Sequence, residues 1–215
     1  MIKFIIAFDN QNETLGQYFE DCKNDIVDFL EEQNHLAPSC LKISDAQCNV
    51  AYIDLKIPQY NPQPFIFIAY SHGEEDRLMC HGNAFVSLDN CHHFSNSLFY
   101  STACLIGKRL APALIESECI AFIGFNEETR VIPKGKKYRK TFIDCDNFAI
   151  KLFLSSEKTV GESFEAMKNY YTTKIDMALE LREDSLYISL LRESRDALIR
   201  LGDKNLKKED LFVYE

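Results

Sequence analysis

A histidine and a cysteine in this sequence each follow an apolar run, and such a pair could carry out thiolate attack on a carbonyl group. His72 comes after the run Phe65–Tyr70 (FIFIAY) and Ser71, and Cys104 comes after the run at 98–100 (LFY) and Ser-Thr-Ala. Cysteine attacks as the thiolate, and histidine, with a pKa near neutrality, is suited to accept the thiol proton. If both runs are neighbouring parallel strands, the two side chains lie at the carboxyl edge of one sheet, where open α/β folds hold their active sites.

The residues next to this pair are expected to supply the electrostatics that the chemistry needs. A helix is predicted at 105–117, which would place the Cys104 thiol at the positive end of a helix dipole. The backbone amide of Cys104 is expected to be free to hold a developing oxyanion. Gly73, which has no side chain to obstruct a substrate, offers a second amide. Base, nucleophile and two oxyanion donors would then share one sheet edge.

Apolar patterning predicts the elements that position these residues. Continuous or alternating apolar runs indicate strands, and apolar residues at three- and four-residue spacing indicate helices. The predicted strands are 3–8, 40–44, 49–57, 65–70, 98–104 and 119–125, with a β-hairpin in 77–88 and a short strand at 211–214. The predicted helices run from 12–14 to 34, over 105–117, over 142–154, from 160 through 175 and over 184–202, and the remaining tail from 203 is expected to be peripheral. Strands that alternate with helices predict an α/β domain with a largely parallel sheet.

Two segments late in the chain carry specific signals. Thr159 and Glu162 match a capping box, in which the hydroxyl and the carboxylate satisfy early backbone donors of a helix. Residues 126–140 are predicted to be a loop or hairpin dense in cations, namely Arg130, Lys134, Lys136, Lys137, Arg139 and Lys140. Three interpretations of these cations stay open: a solvated segment, a docking site for an acidic partner or substrate, or a processing site.

The composition is that of a globular protein and argues against nucleic acid as the main partner. Hydrophobic residues make up 46% and charged residues 27%, and 24 Lys+Arg against 33 Asp+Glu give a formal charge of −9. No apolar run approaches the ~20 residues that span a bilayer. The apolar run at the amino terminus reaches Asp9 at once and is too short for a secretory signal. A membrane is therefore not expected as a partner, and the expected location is cytoplasmic.

The eight cysteines are expected to be reduced thiols, because no secretory signal is recognised. Three of them lie in apolar patterns and are expected in the core: Cys22, Cys119 and Cys145. Cysteine stands next to histidine at 80–81 and at 91–93, but the spacings typical of zinc sites are absent. No metal and no cofactor are therefore expected.

The two motifs together resemble the caspase-like (clan CD) cysteine peptidases. In that family an apolar strand with His-Gly is followed, after a hairpin, by an apolar strand with Ala-Cys, and this chain has FIFIAYSHG and LFYSTACLIG in that order. The likeness continues through AFIGF and the late helix KTVGESFEAMKNYY, and covers most of residues 3–180. It looks closest to the bacterial CHAT-domain proteases.

The resemblance implies a three-layer α/β/α sandwich around a mostly parallel sheet of about six strands. It implies one domain over 1–215, with a core at about 3–180 and C-terminal helices and tail at 181–215. The implied activity is that of a cysteine endopeptidase with His72 as base or acid and Cys104 as nucleophile. Asp9 lies where relatives often place a specificity residue, and Thr102 lies where many Arg/Lys-cleaving relatives have Asp, so both are expected to bind substrate. A helix cap or turn is the alternative role for Asp9.

The resemblance also implies partners, and two other functions stay open. CHAT-like relatives imply a protein or peptide substrate, an activating or regulatory protein chain, and a role in bacterial signalling or antiviral defence. One alternative is a catalytically silent caspase-like module that binds protein partners. Another is a doubly wound domain that binds a small ligand, although no Gly-rich phosphate loop follows Phe8. A second His-Gly pair, at 81–82, follows only three apolar residues and is predicted to be a hairpin turn.

Overall fold

The computed structural model describes residues 1–33, 40–133 and 135–213. Its strands are β1 (Lys3–Phe8), β2 (Cys40–Ser44), β3 (Phe65–Tyr70), β4 (His72–Glu74), β5 (Arg77–Cys80), β6 (Asn83–Ser87), β7 (Ser97–Ser101), β8 (Ala121–Phe125) and β9 (Leu198–Gly202). Its helices are α1 (Gly16–Glu32), α2 (Val50–Lys56), α3 (Leu110–Glu116), α4 (Lys136–Asp146), α5 (Phe148–Ser155), α6 (Val160–Glu180) and α7 (Ser185–Ala197). Within the described residues, no helix is both long and apolar enough to cross a bilayer.

Six strands form the central sheet in the order β2-β1-β3-β7-β8-β9, and β4, β5 and β6 form a small antiparallel sheet. All pairs of the central sheet are parallel except β8 with β9. Successive side chains of a strand point to opposite faces. Accordingly, Phe4, Ile6 and Phe8 of β1 pack into a core with α1 and α4–α7. Ile5 and Ala7 pack into a second core with α2, α3 and the small sheet. The predicted three-layer α/β/α sandwich is therefore confirmed.

The predicted strand at 49–57 is wrong, because this segment forms helix α2. Asn49 caps the helix, its side chain accepting a hydrogen bond from the Tyr52 amide at 2.9 Å. Only Ile53 and Ile57 are fully buried in this stretch, and a four-residue spacing is that of a helix face. Alternating apolar residues suggested a strand, but most of them face solvent.

Two helices expected near the nucleophile have different bounds in the structure. The helix predicted at 105–117 begins only at Leu110, because the chain first makes a turn in which Leu105 has a φ of 64°. The segment 126–140 was expected to lack helix, but α4 begins at residue 136. The helix predicted at 142–154 is divided at Asn147, whose buried side chain accepts from the Tyr70 hydroxyl.

The carboxyl-terminal part of the chain contributes a strand to the central sheet and side chains to the core, which the sequence did not predict. The helix predicted at 184–202 ends at Ala197, and the last five residues form β9 against β8. Leu206 and Leu211 are buried in the core, so the expectation of a peripheral tail is also wrong. The strand predicted at 211–214 is not formed by residues 211–213, and residue 214 lies outside the described residues. The predicted end of the first helix, residue 34, lies outside them as well.

Replacing Thr159 by alanine is expected to lower the free energy of unfolding by about 1 kcal/mol, the usual cost of losing an N-cap side chain. The predicted capping box is present: Thr159 Oγ1 accepts from the Glu162 amide at 3.2 Å, and the Glu162 carboxylate accepts from the Thr159 amide at 2.8 Å. Urea unfolding followed by circular dichroism at neutral pH measures the change.

Thr173→Ala is the matched control on the same helix. Thr173 is exposed in the middle of α6, and its hydroxyl donates only to the Asn169 carbonyl one turn earlier. Its loss is expected to change the free energy of unfolding by less than about 0.5 kcal/mol. Equal effects of the two substitutions would contradict a stabilising cap at Thr159.

Candidate active site

His72 and Cys104 line one cavity of about 540 Å³ at the carboxyl end of the central strands. The cavity walls come from the start of α1, the ends of β3 and β7, the segment 129–133 and helix α7. Its apolar lining consists of Leu15, Phe19, Val131, Ile132, Pro133, Leu186 and Leu190. Thr102 also lines the cavity, whereas Asp9 does not. Of the five predicted site residues, three thus line the cavity, and Asp9 and Gly73 do not.

The parallel pairing of β3 with β7 places His72 and Cys104 at this cavity. Ala69 of β3 lies opposite Ser101 of β7 in the register. The Ser101 hydroxyl donates to the Ala69 carbonyl at 3.0 Å, and the Thr102 amide donates to the same carbonyl at 3.4 Å. The Ala103 amide donates to Ser101 Oγ at 3.2 Å. The loop that carries the cysteine is therefore tied to the end of the strand that precedes the histidine.

The backbone of Gly73 packs directly against the loop that holds Cys104. A Cβ atom placed on Gly73 would lie 2.5 Å from the Cys104 carbonyl oxygen and 2.9 Å from the Cβ of Ala103, distances that atoms do not tolerate. Glycine is therefore required for this close approach. The adjacent His72 side chain is exposed and packs edge-on against Phe19, with ring centroids 5.5 Å apart.

Thr129, rather than a helix terminus, provides the polar surroundings of the Cys104 thiol. The expectation of a helix beginning at Leu105 is wrong, since α3 begins five residues later. The Thr129 amide donates to Cys104 Sγ at 3.3 Å, and the Thr129 Oγ1 lies 3.5 Å from the same sulfur. The Thr129 carbonyl oxygen lies 3.4 Å from the sulfur and accepts from the thiol. Nothing in the sequence of the cation-rich segment indicated this contact.

The Cys104 amide is available to a ligand. It donates no hydrogen bond to any residue of the described ranges, although the neighbouring amides of Thr102 and Ala103 do. The amides of Leu105 and Gly107 on the other side donate to carbonyl groups at 127 and 125. An amide without an acceptor at this position is compatible with the predicted oxyanion donor. Gly73, the second expected donor, lies opposite Leu78 in the β4–β5 pairing.

Asp9 lies at the end of β1 and faces the β5–β6 hairpin. Its amide donates to the Tyr70 carbonyl at 3.0 Å, and its Oδ2 accepts from the His81 amide at 3.4 Å. The second His-Gly pair, His81 and Gly82, forms the predicted hairpin turn, with φ values of 51° and 72°. The contact with His81 directs the Asp9 carboxylate away from the cavity that His72 lines.

Asp146 is a buried carboxyl group that lines the cavity and that the sequence did not indicate. It is 3% exposed and accepts hydrogen bonds of 2.6 Å from the hydroxyls of Tyr18 and Tyr171. Burial raises the pKa of Asp146 to about 6, although the two tyrosines oppose the shift. Burial, and next the charge of Asp146, raise the pKa values of both tyrosines, which therefore stay protonated as donors. A carboxylate held by neutral donors at a cavity wall can accept a cation.

The free energy of unfolding is expected to contain a contribution from Asp146 that falls as the pH rises from about 4 to about 6. Burial raises the folded pKa from 3.8 to about 6, so the folded protein binds a proton that the unfolded chain releases at lower pH. The stabilisation is thus fully present below the unfolded pKa and is lost as the pH rises through the folded pKa. A shift of about two units corresponds to about 3 kcal/mol.

Asp146→Asn, which is neutral at every pH, isolates this contribution. The free energy of unfolding of the variant minus that of the wild type is expected to rise by up to about 3 kcal/mol between pH 4 and pH 7, because only the wild type loses the contribution of the protonated carboxyl group. Urea unfolding at several pH values measures it, and the other titrating groups cancel because both proteins share them. A difference that does not change with pH would contradict the assignment.

The similarity of this chain to known proteins is one of structure. No protein-family model matches the sequence, and no curated protein matches it. The Arg-specific cysteine proteinase gingipain R (RgpB) matches 95% of this chain and 46% of its own at 16% identity, with a TM-score of 0.62. The complex of the pro- and mature domains of Porphyromonas gingivalis RgpB matches 95% of this chain and 48% of its own at 15% identity, with a TM-score of 0.65.

A third structure is a secreted C11 cysteine protease from Bacteroides thetaiotaomicron in complex with an irreversible peptide inhibitor. It matches 80% of this chain and 58% of its own at 12% identity, with a TM-score of 0.48. This chain spans about half the length of the gingipain chains. On the first two similarities, the chain shares the fold of gingipain R.

Proposed function

We propose that this protein is a cysteine endopeptidase that uses Cys104 as nucleophile and His72 as general base and acid. The observation that carries the proposal is that both side chains line one cavity, on loops that contact each other through Gly73. The amide of Thr129 on the sulfur and the unused amide of Cys104 are the further groups that thiolate chemistry needs. The shared fold with cysteine proteinases supports the same reaction class.

In the proposed reaction, His72 takes the thiol proton of Cys104, and the thiolate attacks the carbonyl carbon of the scissile peptide bond. The amides of Cys104 and Gly73 hold the oxyanion that forms. The tetrahedral intermediate collapses, the C–N bond breaks, and His72 gives its proton to the leaving amine. Water, deprotonated by His72, then attacks the thioester, which releases the carboxylic acid and returns the thiol.

The preferred residue before the scissile bond is proposed to be basic. The apolar lining suits the methylene groups of lysine or arginine, which commonly pack along apolar surfaces. Asp146 offers a carboxylate to the cationic end, and Thr102 Oγ1 is buried without a hydrogen-bond partner in the described part of the chain. Asp146 thereby takes the role that the sequence suggested for Asp9, and Thr102 keeps the predicted one. Gingipain R, which shares the fold, is an Arg-specific proteinase.

The biological setting stays a set of predictions from the sequence. We propose a single domain over residues 1–215, a cytoplasmic location and a protein substrate, with regulation by a second protein chain. The RgpB structure with its pro-domain is an instance of a protein partner on this fold. Membership of the CHAT-domain branch and a role in bacterial signalling or antiviral defence are proposed on the motifs alone.

Digestion of a diverse peptide library by the purified protein, with the products identified by mass spectrometry, tests the activity and the preference together. Wild-type protein is expected to cut after lysine or arginine. Cys104→Ala is expected to abolish cleavage. His72→Ala is expected to lower the rate by roughly 10²–10⁴-fold, the usual contribution of a general acid or base.

Cys40→Ala and His92→Ala are the matched controls. Cys40 lies at the start of β2, at the opposite edge of the sheet, and His92 is an exposed residue of a short 3₁₀ helix. Both variants are expected to keep wild-type activity. Full activity of Cys104→Ala would refute the nucleophile. Cuts after apolar residues would refute the role of Asp146, and an inert wild-type protein would favour the protein-binding module.

A further inference from the structure

A cluster of metal-ligating side chains lies at the turn of the β5–β6 hairpin, separate from the cavity that holds His72 and Cys104. Asp9 at the end of β1, Cys80 at the end of β5 and His81 in the turn each place a ligand atom within 4.8 Å of the other two. None of these three residues lines the cavity. The proposed peptidase reaction uses none of them.

Backbone contacts hold the hairpin turn over the end of β1. The turn itself is tight, because His81 and Gly82 both have positive φ values. The His81 amide donates to Asp9 Oδ2 at 3.4 Å, and the Asp9 amide donates to the Tyr70 carbonyl at 3.0 Å. The convergence of the side chains is therefore a consequence of the fold and does not depend on one mobile loop.

The Asp9 carboxylate, which belongs to this cluster, has one oxygen without a hydrogen-bond partner. Asp9 is 1% exposed, and its Oδ1 has no hydrogen-bond partner among residues 1–33, 40–133 and 135–213. A buried carboxylate oxygen without a partner is costly, and native proteins usually pair such atoms or use them to coordinate a metal. A bound cation would satisfy Oδ1 and compensate the charge.

Cys48 and Asp45 complete the surroundings of the cluster. The Cys48 thiol lies beside that of Cys80. The sulfur of Cys48 also lies 3.7 Å from the Phe8 carbonyl, next to Asp9 in the chain. Asp45 Oδ1 lies 3.8 Å from His81 Nε2, and a carboxylate beside a ligating histidine orients its ring.

We propose that Asp9, Cys80 and His81 bind one Zn²⁺ ion, and that the thiol of Cys48, which lies beside Cys80 but outside the 4.8 Å group, moves in as the fourth donor. Two sulfur atoms, one imidazole and one carboxylate are a donor set for tetrahedral zinc, and sulfur disfavours the oxygen-preferring Ca²⁺ and Mg²⁺. Four protein ligands leave no open position, so the ion is structural. The His81 side chain is 42% exposed and provides the entry path.

The ion would fix the strand that carries the general base. β4 pairs with β5, and His72 lies opposite Met79, the residue before Cys80. A metal bound to Cys80 and His81 therefore joins β5, and through it β4, to the end of β1. The consequence is a rigid His72 strand, whatever reaction the cavity performs.

Zinc binding to the reduced, metal-free protein tests the proposal directly. The protein is stripped with a chelator, kept reduced with a phosphine, and titrated with Zn²⁺ in competition with a chromophoric zinc indicator. One equivalent is expected to bind, and the melting temperature is expected to rise with free Zn²⁺, as for any ligand of the folded state. Co²⁺ in place of zinc is expected to give thiolate charge-transfer absorption and the visible bands of a tetrahedral site.

Variants assign the site and separate it from the reactive cysteine. Cys80→Ser is expected to lose the equivalent of zinc and the thiolate band, and Asp45→Asn to weaken binding roughly tenfold or more, as loss of a residue that orients a ligand does. Cys91→Ser, in the other Cys-His segment, and Cys104→Ser are expected to bind zinc as the wild type does.

Three results would overturn the proposal. The first is a wild-type protein that binds no zinc or gives no thiolate band with Co²⁺, a test that requires no variant to fold. The second is loss of binding in Cys104→Ser but not in Cys80→Ser, which would place the ion in the cavity. The third is a Cys48–Cys80 disulfide found by peptide mapping of the freshly purified protein without reductant.

Discussion

The parallel pairing of β3 with β7 is the interaction on which the candidate site depends. Ser101 and Thr102 both donate to the carbonyl of Ala69, so the loop after β7 cannot move independently of the end of β3. β4 follows β3 after one residue, and its Gly73 backbone then lies against Cys104. Because these contacts involve backbone and short side chains, the relation between the histidine and the cysteine is set by the sheet itself.

A buried polar network supports this sheet from the helical side. The Asp146 carboxylate binds the hydroxyls of Tyr18 on α1 and Tyr171 on α6, and its carbonyl accepts from Tyr100 on β7. The next residue, Asn147, accepts from Tyr70 at 2.6 Å and donates to the Cys22 carbonyl at 3.0 Å.

Two consequences follow from this network. Two helices and two central strands are joined where α4 meets α5, directly behind the cavity. The cost of burying the charged Asp146 is offset only in part by its donors, and the carboxyl group is left at the cavity wall, where a cationic side chain of a substrate would compensate its charge.

The sequence predicted secondary structure correctly for strands that are buried on both faces of the sheet, because such strands consist almost entirely of apolar residues. The apolar runs of β1 and β3 predicted strands correctly, and the Thr159–Glu162 pattern predicted a real cap. The local pattern predicted a strand wrongly for α2, because apolar and polar residues of a short amphipathic helix can alternate over a few positions as they do in a strand. It failed again for β9, where a helix-like pattern continues but the free edge of β8 binds the chain as a strand.

For the site, the sequence indicated the groups that lie next to apolar strands and missed those brought in from a distance. His72, Gly73, Thr102 and Cys104 each follow a buried strand, so the sheet explains their common location. Thr129 and Asp146 reach the cavity only through tertiary packing, and no residue spacing in the sequence indicates that they lie there. Asp9 follows a buried strand as well, but its side chain faces the hairpin instead.

Covalent labelling of the purified protein with a peptide-based thiol electrophile shows whether this sheet edge makes one of the eight cysteines reactive. The adduct is located by peptide mapping, with a peptide aldehyde as competitor. The account predicts a single adduct on Cys104, prevented by the aldehyde and formed roughly 10²-fold or more slowly in His72→Ala, since the base contributes that much. Labelling distributed over several cysteines, or equally fast in His72→Ala, would contradict it.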